Sequence, residues 1–340
     1  MKNLRLLCLL VLVILVGCGN VSNKPINEKK PKLVYVMVSK DINNPYMKKA
    51  FDGFEKACKE IGAIAVFKGP QIATAEGQIE IVKQLIIEKV DLIAIAANDA
   101  DALDEVLQEA LDVGIKVISY DSAVNPESRL THVQQADPEQ IGRVLIQAAY
   151  EMTNGKGGIG ILSSTAVATN QNLWIKWMQT EIKENPDKYK NMPLLQIVYG
   201  DDEPLRSTEA VKELLRNSKI KVIIAPTAVG MLAAGQYLGE NKSDVLLTGL
   251  GLPSEIAIFI EQGVCPWMYL WNPLDLGYLT AYTGNALVNG EITGRSGDAF
   301  FAGSMGERVI MLAGDGGSEV MLGDPFKFDK ANIAGWKEVY

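Results

Sequence analysis

The stretch LIAIAANDADALDEVLQEALDVGIKVISYDS, Leu92 to Ser122, decides the fold. It opens on a continuous apolar run and passes the polar pair Asn98-Asp99. Leu103, Val106, Leu107, Ala110 and Leu111 then recur at helical spacing, and a second apolar run, KVISYD, closes it. Apolar residues three and four apart mark one buried helix face, whereas an unbroken apolar run fits a strand covered on both faces. Buried strands alternating with amphipathic helices imply parallel sheets.

The pattern extends outward in both directions. Upstream stand the run LVYVMVS, a helix face of Tyr46, Ala50, Phe51, Phe54, Ala57, Cys58 and Ile61, and another of Ile79, Val82, Leu85 and Ile86. Downstream GIGILS, LQIVYG, KVIIAP, VLLTGLG and CPWMYLW are each followed by a helical pattern. These are too many strands for one small sheet, so two α/β lobes are expected. The polar span Ser122 to Pro138, which holds the single histidine, His132, reads as a crossing between them. The segment GERVIMLAGDGGSEVMLGDPFKF reads as a hairpin turning at GDGG, followed by an extended tail.

The N-terminus reads as an address. Lys2 and Arg5 precede LLCLLVLVILVG, too short for a comfortable span and followed at once by polar residues. Leu15-Val16-Gly17-Cys18 resembles a bacterial lipobox, which implies cleavage before Cys18 and lipid on that residue. Several acyl chains anchor stably where one would not. GNVSNKPINEKKP then reads as a flexible tether. The expected product is exported and held by lipid at the outer face of the cell membrane or in the periplasm. The formal net charge of −8 becomes −10 without Lys2 and Arg5. With no basic cluster in the body, nucleic acid is not an expected partner. Cys58 and Cys265 are expected as free thiols, and no zinc or haem motif or other cofactor site is expected.

Ligands of open α/β sheets bind beyond the carboxyl ends of the strands. Read in order, those ends offer Ser39-Lys40, Asn98-Asp99, Asp121-Ser122, Ser163 onward to Asn170-Gln171, Pro226-Thr227-Ala228 and Trp271-Asn272, with Tyr46 and Trp174 nearby. Neutral amides, one lysine, a carboxylate or two and aromatic faces suit a small, uncharged, polyhydroxylated ligand. A phosphorylated one needs more positive charge or a phosphate loop. Each position has a structural alternative. Lys40 alone fits a solvated lysine, Asp121 a turn residue, Asn170 a helix N-cap, and Trp174 and Trp177 a core. Asp201-Asp202 reads as a solvated turn pair. GKGGIG, Gly155 to Gly160, precedes a strand, where a dinucleotide fingerprint must follow one. With no nucleophile elbow and His132 in a crossing, no catalysis is expected.

These residues carry a resemblance. MVSKDINNPYMKKAFDGFEKACKEIG and the opening stretch are similar to periplasmic sugar-binding proteins of the ribose-binding type, the substrate-binding subunits of ABC importers, from about Leu33 to the C-terminus. Lactose-repressor-type regulators share the core fold, but carry a helix-turn-helix where this chain has its signal-like segment. Within the family, YDSAVNPESR, TNQNLWIKW, IIAPTAVGMLAAGQ and YLWNPLDLG most resemble Lsr-type autoinducer-2 receptors and rhamnose-binding proteins. The receptor pattern maps onto Lys40, Asp121, Asn170, Gln171, Pro226 and Ala228. Asn170 stands where that pattern has aspartate, and Trp271-Asn272 where it has a tryptophan-aspartate pair.

The resemblance implies a type I periplasmic binding protein: two doubly wound parallel-sheet lobes joined by a three-crossing hinge. The expected map is a signal peptide at 1–17 and a lipidated tether at 18–31. An N-terminal lobe of 32–132 plus 273–300 and a C-terminal lobe of 133–272 plus 301–340 follow. Autoinducer-2 is the first expected ligand, and rhamnose or another deoxyhexose or pentose the alternative. A permease, the membrane through Cys18 and a monomeric state complete the expected partners.

Overall fold

The computed structural model describes residues 32–340. The signal-peptide, tether and Cys18 expectations lie outside these residues. In the first lobe β1 (Val34–Val38), α1 (Pro45–Ile61), β2 (Ile64–Lys68), α2 (Ala75–Glu88), β3 (Leu92–Ile95), α3 (Ala100–Asp112), β4 (Lys116–Tyr120) and β5 (His132–Gln134) follow in order. The second lobe contains α4 (Pro138–Thr153), β6 (Gly158–Ser163), α5 (Thr169–Glu184), α6 (Pro186–Tyr189), β7 (Leu194–Tyr199), α7 (Pro204–Leu215) and β8 (Ile220–Ala225). It continues through α8 (Ala228–Glu240), β9 (Leu246–Gly249), α9 (Pro253–Gln262) and β10 (Trp267–Leu270). The chain returns through α10 (Pro273–Val288), β11 (Ala299–Phe301), β12 (Glu307–Val309), β13 (Met311–Leu312), β14 (Ser318–Met321), β15 (Phe326–Asp329) and α11 (Ile333–Trp336).

The first sheet runs β13-β14-β5-β4-β3-β1-β2, and the second β7-β6-β8-β9. A parallel bridge from Leu250 to Tyr269 sets β10 beside β9, and β15 pairs antiparallel with β10. The core follows from the two-residue strand period. Val36, Val38, Ile93, Ile95 and Val117 face α2 and α3 on one side of the first sheet. Tyr35, Met37, Leu92, Ala94 and Ile118 point to the other side, into the core that includes α1 and α10.

Asn44 caps α1 by accepting from the Tyr46 and Met47 amides, and Pro45 fits the first turn, where no amide is needed. Helix α10 then lies against α1 at backbone contact. A Cβ on Gly277 would come 1.7 Å from the Ala50 carbonyl oxygen, and one on Gly53 1.8 Å from that of Leu274. Only glycine permits that approach. Cys58 and Cys265 are buried free thiols, as expected. No helix among the described residues is long and apolar enough to cross a membrane.

The chain passes between the sheets at 135–137, 271–272 and 322–325, giving the three crossings. Three expectations need correction. The polar span 122–138 is not loop throughout: it contains β5, in which His132 and Val133 pair with β4 and His132, Val133 and Gln134 with β14. His132 is therefore a strand residue, 2% exposed, with Nδ1 2.8 Å from the Ser119 hydroxyl. The hairpin at GDGG forms, but β13 and β14 join the first sheet, so residues 301–340 do not all belong to the second lobe. Only the tail strand β15 and the helix after it return there.

Candidate functional site

A narrow cleft opens among the carboxyl ends of strands from both sheets. Its polar lining is Lys40, Asn44, Asp121, Gln171, Asp202 and Thr227. Its apolar lining includes Met47, Trp174, Leu250, Leu270 and Trp271.

Lys40 follows β1 directly. Its carbonyl accepts from Asn98 Nδ2 at 2.9 Å, while Gln78 Nε2 donates to the Ser39 carbonyl at 3.0 Å. Asn98, a strand-end residue, therefore braces the lysine's backbone rather than lining the cleft. The Lys40 ammonium crosses the cleft and donates to Asn170 Oδ1 at 2.9 Å and Gln171 Oε1 at 3.3 Å. Asn170 Nδ2 in turn donates to Asp121 Oδ2 at 3.0 Å. Asp121 Oδ1 accepts from the Tyr46 hydroxyl at 3.0 Å, and that hydroxyl accepts from Trp271 Nε1 at 2.7 Å. Gln171 Nε2 donates to the Pro226 carbonyl at 3.4 Å.

This network explains the asparagine. Asn170 receives a bond from a cation on one atom and gives one to a carboxylate on the other. An aspartate there would set two carboxylates against each other. Asn170 is not the N-cap of α5. That position is Ala168, which makes no side-chain cap bond. Asn170 sits inside the first turn, where Oδ1 also accepts from the Gln171 amide at 2.9 Å.

Burial pushes the Lys40 pKa down from its ordinary value, and Asp121 and Asp202 oppose that shift. Burial likewise pushes Asp121 up, opposed first by Lys40 and then by the Tyr46 bond. Asp202 is also raised by burial, against the Thr227 bond and Lys40. Three charged groups thus share a desolvated space in which none is independent of the others.

Residues 35–292 match the periplasmic binding protein domain family. The chain belongs to that family. The family resemblance and the fold read in the sequence are both borne out. This periplasmic binding protein is similar to an ABC transporter solute binding protein from Clostridium phytofermentas with bound L-rhamnose. They are 43% identical, with a TM-score of 0.88 over 91% of this chain and 99% of that one. It is 36% identical to a sugar ABC transporter from Actinomyces odontolyticus, with a TM-score of 0.70 over 89% and 97% of the two chains. LsrB from Clostridium saccharobutylicum, in complex with AI-2, shares the fold, with a TM-score of 0.83 at 20% identity over 89% and 99%. A curated relative, the D-ribose/D-allose-binding protein of Pseudomonas aeruginosa, is 29% identical over 184 residues. That match covers 50% of this chain and 56% of the relative.

In this periplasmic binding protein the cleft unites nearly all the residues singled out from sequence. Lys40, Tyr46, Asp121, Gln171, Trp174, Pro226, Ala228 and Trp271 line it. Asn170 bridges two of them. Trp174 and Trp271 lie with ring centroids 5.9 Å apart, and the indole N–H of Trp174 has no protein partner among the described residues. Asn272, like Asn98, stays outside the cleft. It caps α10, accepting from the Leu274 amide at 3.0 Å and donating to Asp275 at 2.9 Å.

Asn44, Met47, Asp202, Leu250 and Leu270 were missed by sequence reasoning, whereas Thr227 was named with the strand end Pro226-Thr227-Ala228. The expected solvated turn pair is half wrong: Asp202 is only 9% exposed and accepts from the Thr227 hydroxyl. A signal existed, since Asp202 stands just past the apolar run LQIVYG, at a strand end like the others. The apolar residues carried no comparable mark, because nothing in a sequence separates a core leucine from one that faces a cleft.

Proposed function

We propose that the protein captures a small, neutral, hydroxyl-rich ligand between its lobes and delivers it to an ABC permease, and that the ligand is L-rhamnose or a similar deoxyhexose. The amphipathic lining carries this reading. Lys40, Asp121, Gln171 and the Pro226 carbonyl present donors and acceptors for hydroxyls. Trp174, Trp271, Met47, Leu250 and Leu270 supply apolar surface for the C–H side and the methyl of a deoxy sugar. The 43% identity to a protein holding L-rhamnose supports it.

Autoinducer-2 is the second reading. It is favoured by Lys40, Asp121, Gln171, Pro226 and Ala228, which agree with the receptor pattern. Asn170 weighs against it, because the asparagine gives up one anionic acceptor. In either case Lys40, Tyr46 and Asp121 serve from the first lobe, and Asn170, Gln171, Trp174, Pro226, Ala228 and Trp271 from the second lobe and the crossing. A ligand touching both lobes shifts the population toward a closed form, the one the permease reads. The protein works outside the cytoplasm as a monomer, tethered by lipid on Cys18.

A thermal-shift panel of L-rhamnose, ribose, arabinose, galactose and the cyclic autoinducer-2 precursor tests the assignment. A ligand at one hundred times its Kd stabilises by about 2.7 kcal/mol, enough for a clear rise in melting temperature. L-rhamnose is expected to give the largest rise. A rise with the autoinducer precursor and none with L-rhamnose reverses the order of the two readings.

A further inference from the structure

We propose that Asp202 is a ligand-contacting, specificity-determining residue: the second lobe's carboxylate, which accepts a hydroxyl of the bound sugar across the cleft from Asp121. The proposal rests on the sugar-binding reading and adds to it a residue that the receptor pattern does not contain.

Four observations converge on Asp202. It lines the cleft and is almost fully buried, although it follows a strand on a turn, where carboxylates are ordinarily solvated. Its side chain is not used for local structure. The N-cap of α7 is Glu203, which makes no side-chain cap bond, and the neighbouring Asp201 is the residue that pairs with Arg206. The backbone is held in an uncommon shape, with Asp201 at φ 53° and Asp202 at φ 52°, both left-handed without being glycine. That conformation costs about 1–2 kcal/mol per residue, less for aspartate, and such costs gather at functional sites. Asp121 has φ 58°, so the cleft carboxylates of both lobes are aimed from the same backbone conformation.

The fourth observation is the bonding of the carboxylate itself. Among the described residues its one hydrogen bond comes from the Thr227 hydroxyl to Oδ1. Thr227 orients the group and leaves Oδ2 for a donor from the cleft. A carboxylate oxygen accepts strongly from a hydroxyl and repels another anion. The lining holds one lysine and two carboxyl groups, a balance that suits neutral polyols better than sugar acids or phosphates. With a carboxylate in each lobe, the ligand must present hydroxyl donors on two separated edges, as a pyranose ring does.

The test is calorimetric titration of the wild type and Asp202→Asn with L-rhamnose and its monodeoxy analogues. Asparagine keeps an oxygen for Thr227, and matching circular dichroism of the two proteins verifies that the fold persists. L-rhamnose should bind the variant about 10- to 100-fold more weakly, the range for a hydrogen bond to a charged group. One deoxy analogue, lacking the hydroxyl that Asp202 holds, should bind both proteins alike. Equal affinity of the two proteins for L-rhamnose overturns the proposal. So does an equal loss for every analogue, which would mark a purely structural aspartate. Failure of the wild type to bind any sugar of the panel breaks the sugar-binding reading instead.

Discussion

The first lobe, in the order β2-β1-β3-β4-β5, and the second, in the order β7-β6-β8-β9-β10, repeat one strand plan. Each also packs a helix pair on one sheet face, α10 with α1 and α4 with α5. The strand ends differ. The first lobe presents a lysine and an aspartate held by a tyrosine, whereas the second presents amides, a backbone carbonyl and a second aspartate. The scaffold is thus set by packing, which tolerates repetition. Ligand chemistry is set by loops past the strands, which packing leaves free to diverge.

The helix pairs give the largest expected effect. Gly277→Ala should cost about 3 kcal/mol or more in a denaturant melt, because the new methyl meets a main-chain carbonyl. Gly142→Ala, where the Cβ would meet Trp177 Cβ at 2.5 Å and the Trp174 carbonyl at 2.7 Å, should cost less. Equal costs would show that the two pairs are equally tight. Asp121→Ala should weaken ligand binding about 100-fold or more, since it removes an acceptor and strips the Tyr46 hydroxyl and Asn170 Nδ2 of their partner in a buried site. An unchanged thermal shift would remove the first lobe's carboxylate from the site.

The lobes should also part in acid. Burial holds the His132 imidazole at about 3, against an ordinary 6.5, with the Arg129 charge adding to the effect. The folded chain therefore keeps the ring neutral while the unfolded chain takes up a proton below 6.5. The stability tied to the neutral ring is complete above pH 6.5 and drains away as pH falls toward about 3, at about 1.4 kcal/mol per pH unit. Urea melts from pH 7 to 5 should be shallower in pH for His132→Gln. Parallel slopes would acquit the histidine.

Asn272→Ala gives the smallest effect. Loss of a helix cap should cost about 1 kcal/mol and leave ligand affinity unchanged. A fall in affinity beyond twofold would return Asn272 to the site from which its cap bonds now exclude it.

The alternation of apolar runs and helical faces made both lobes legible in the sequence, and the rule that ligands gather beyond strand ends made Lys40, Asp121 and Gln171 legible with them. The failures share a cause. Asp202 was passed over because a polar pair in a turn is ordinarily solvated, and burial of one member depends on the opposite lobe. Asn272 had the right residue type at a strand end, yet the helix that starts at the next residue claimed its side chain. The membership of β13 and β14 was hidden because an edge hairpin can pair with either sheet, and its own pattern does not say which.

The sequence by itself determined the strand and helix alternation, the doubly wound class and the polar, uncharged character of most strand ends, since these follow from local periodicity and residue chemistry. The tertiary structure alone decided which ends face one another. It set Asn170 between a lysine and an aspartate, turned Asp202 inward and brought the late hairpin back to the first sheet. Those outcomes depend on contacts between residues from 25 to more than a hundred positions apart, where burial and charge act together and no local pattern records them.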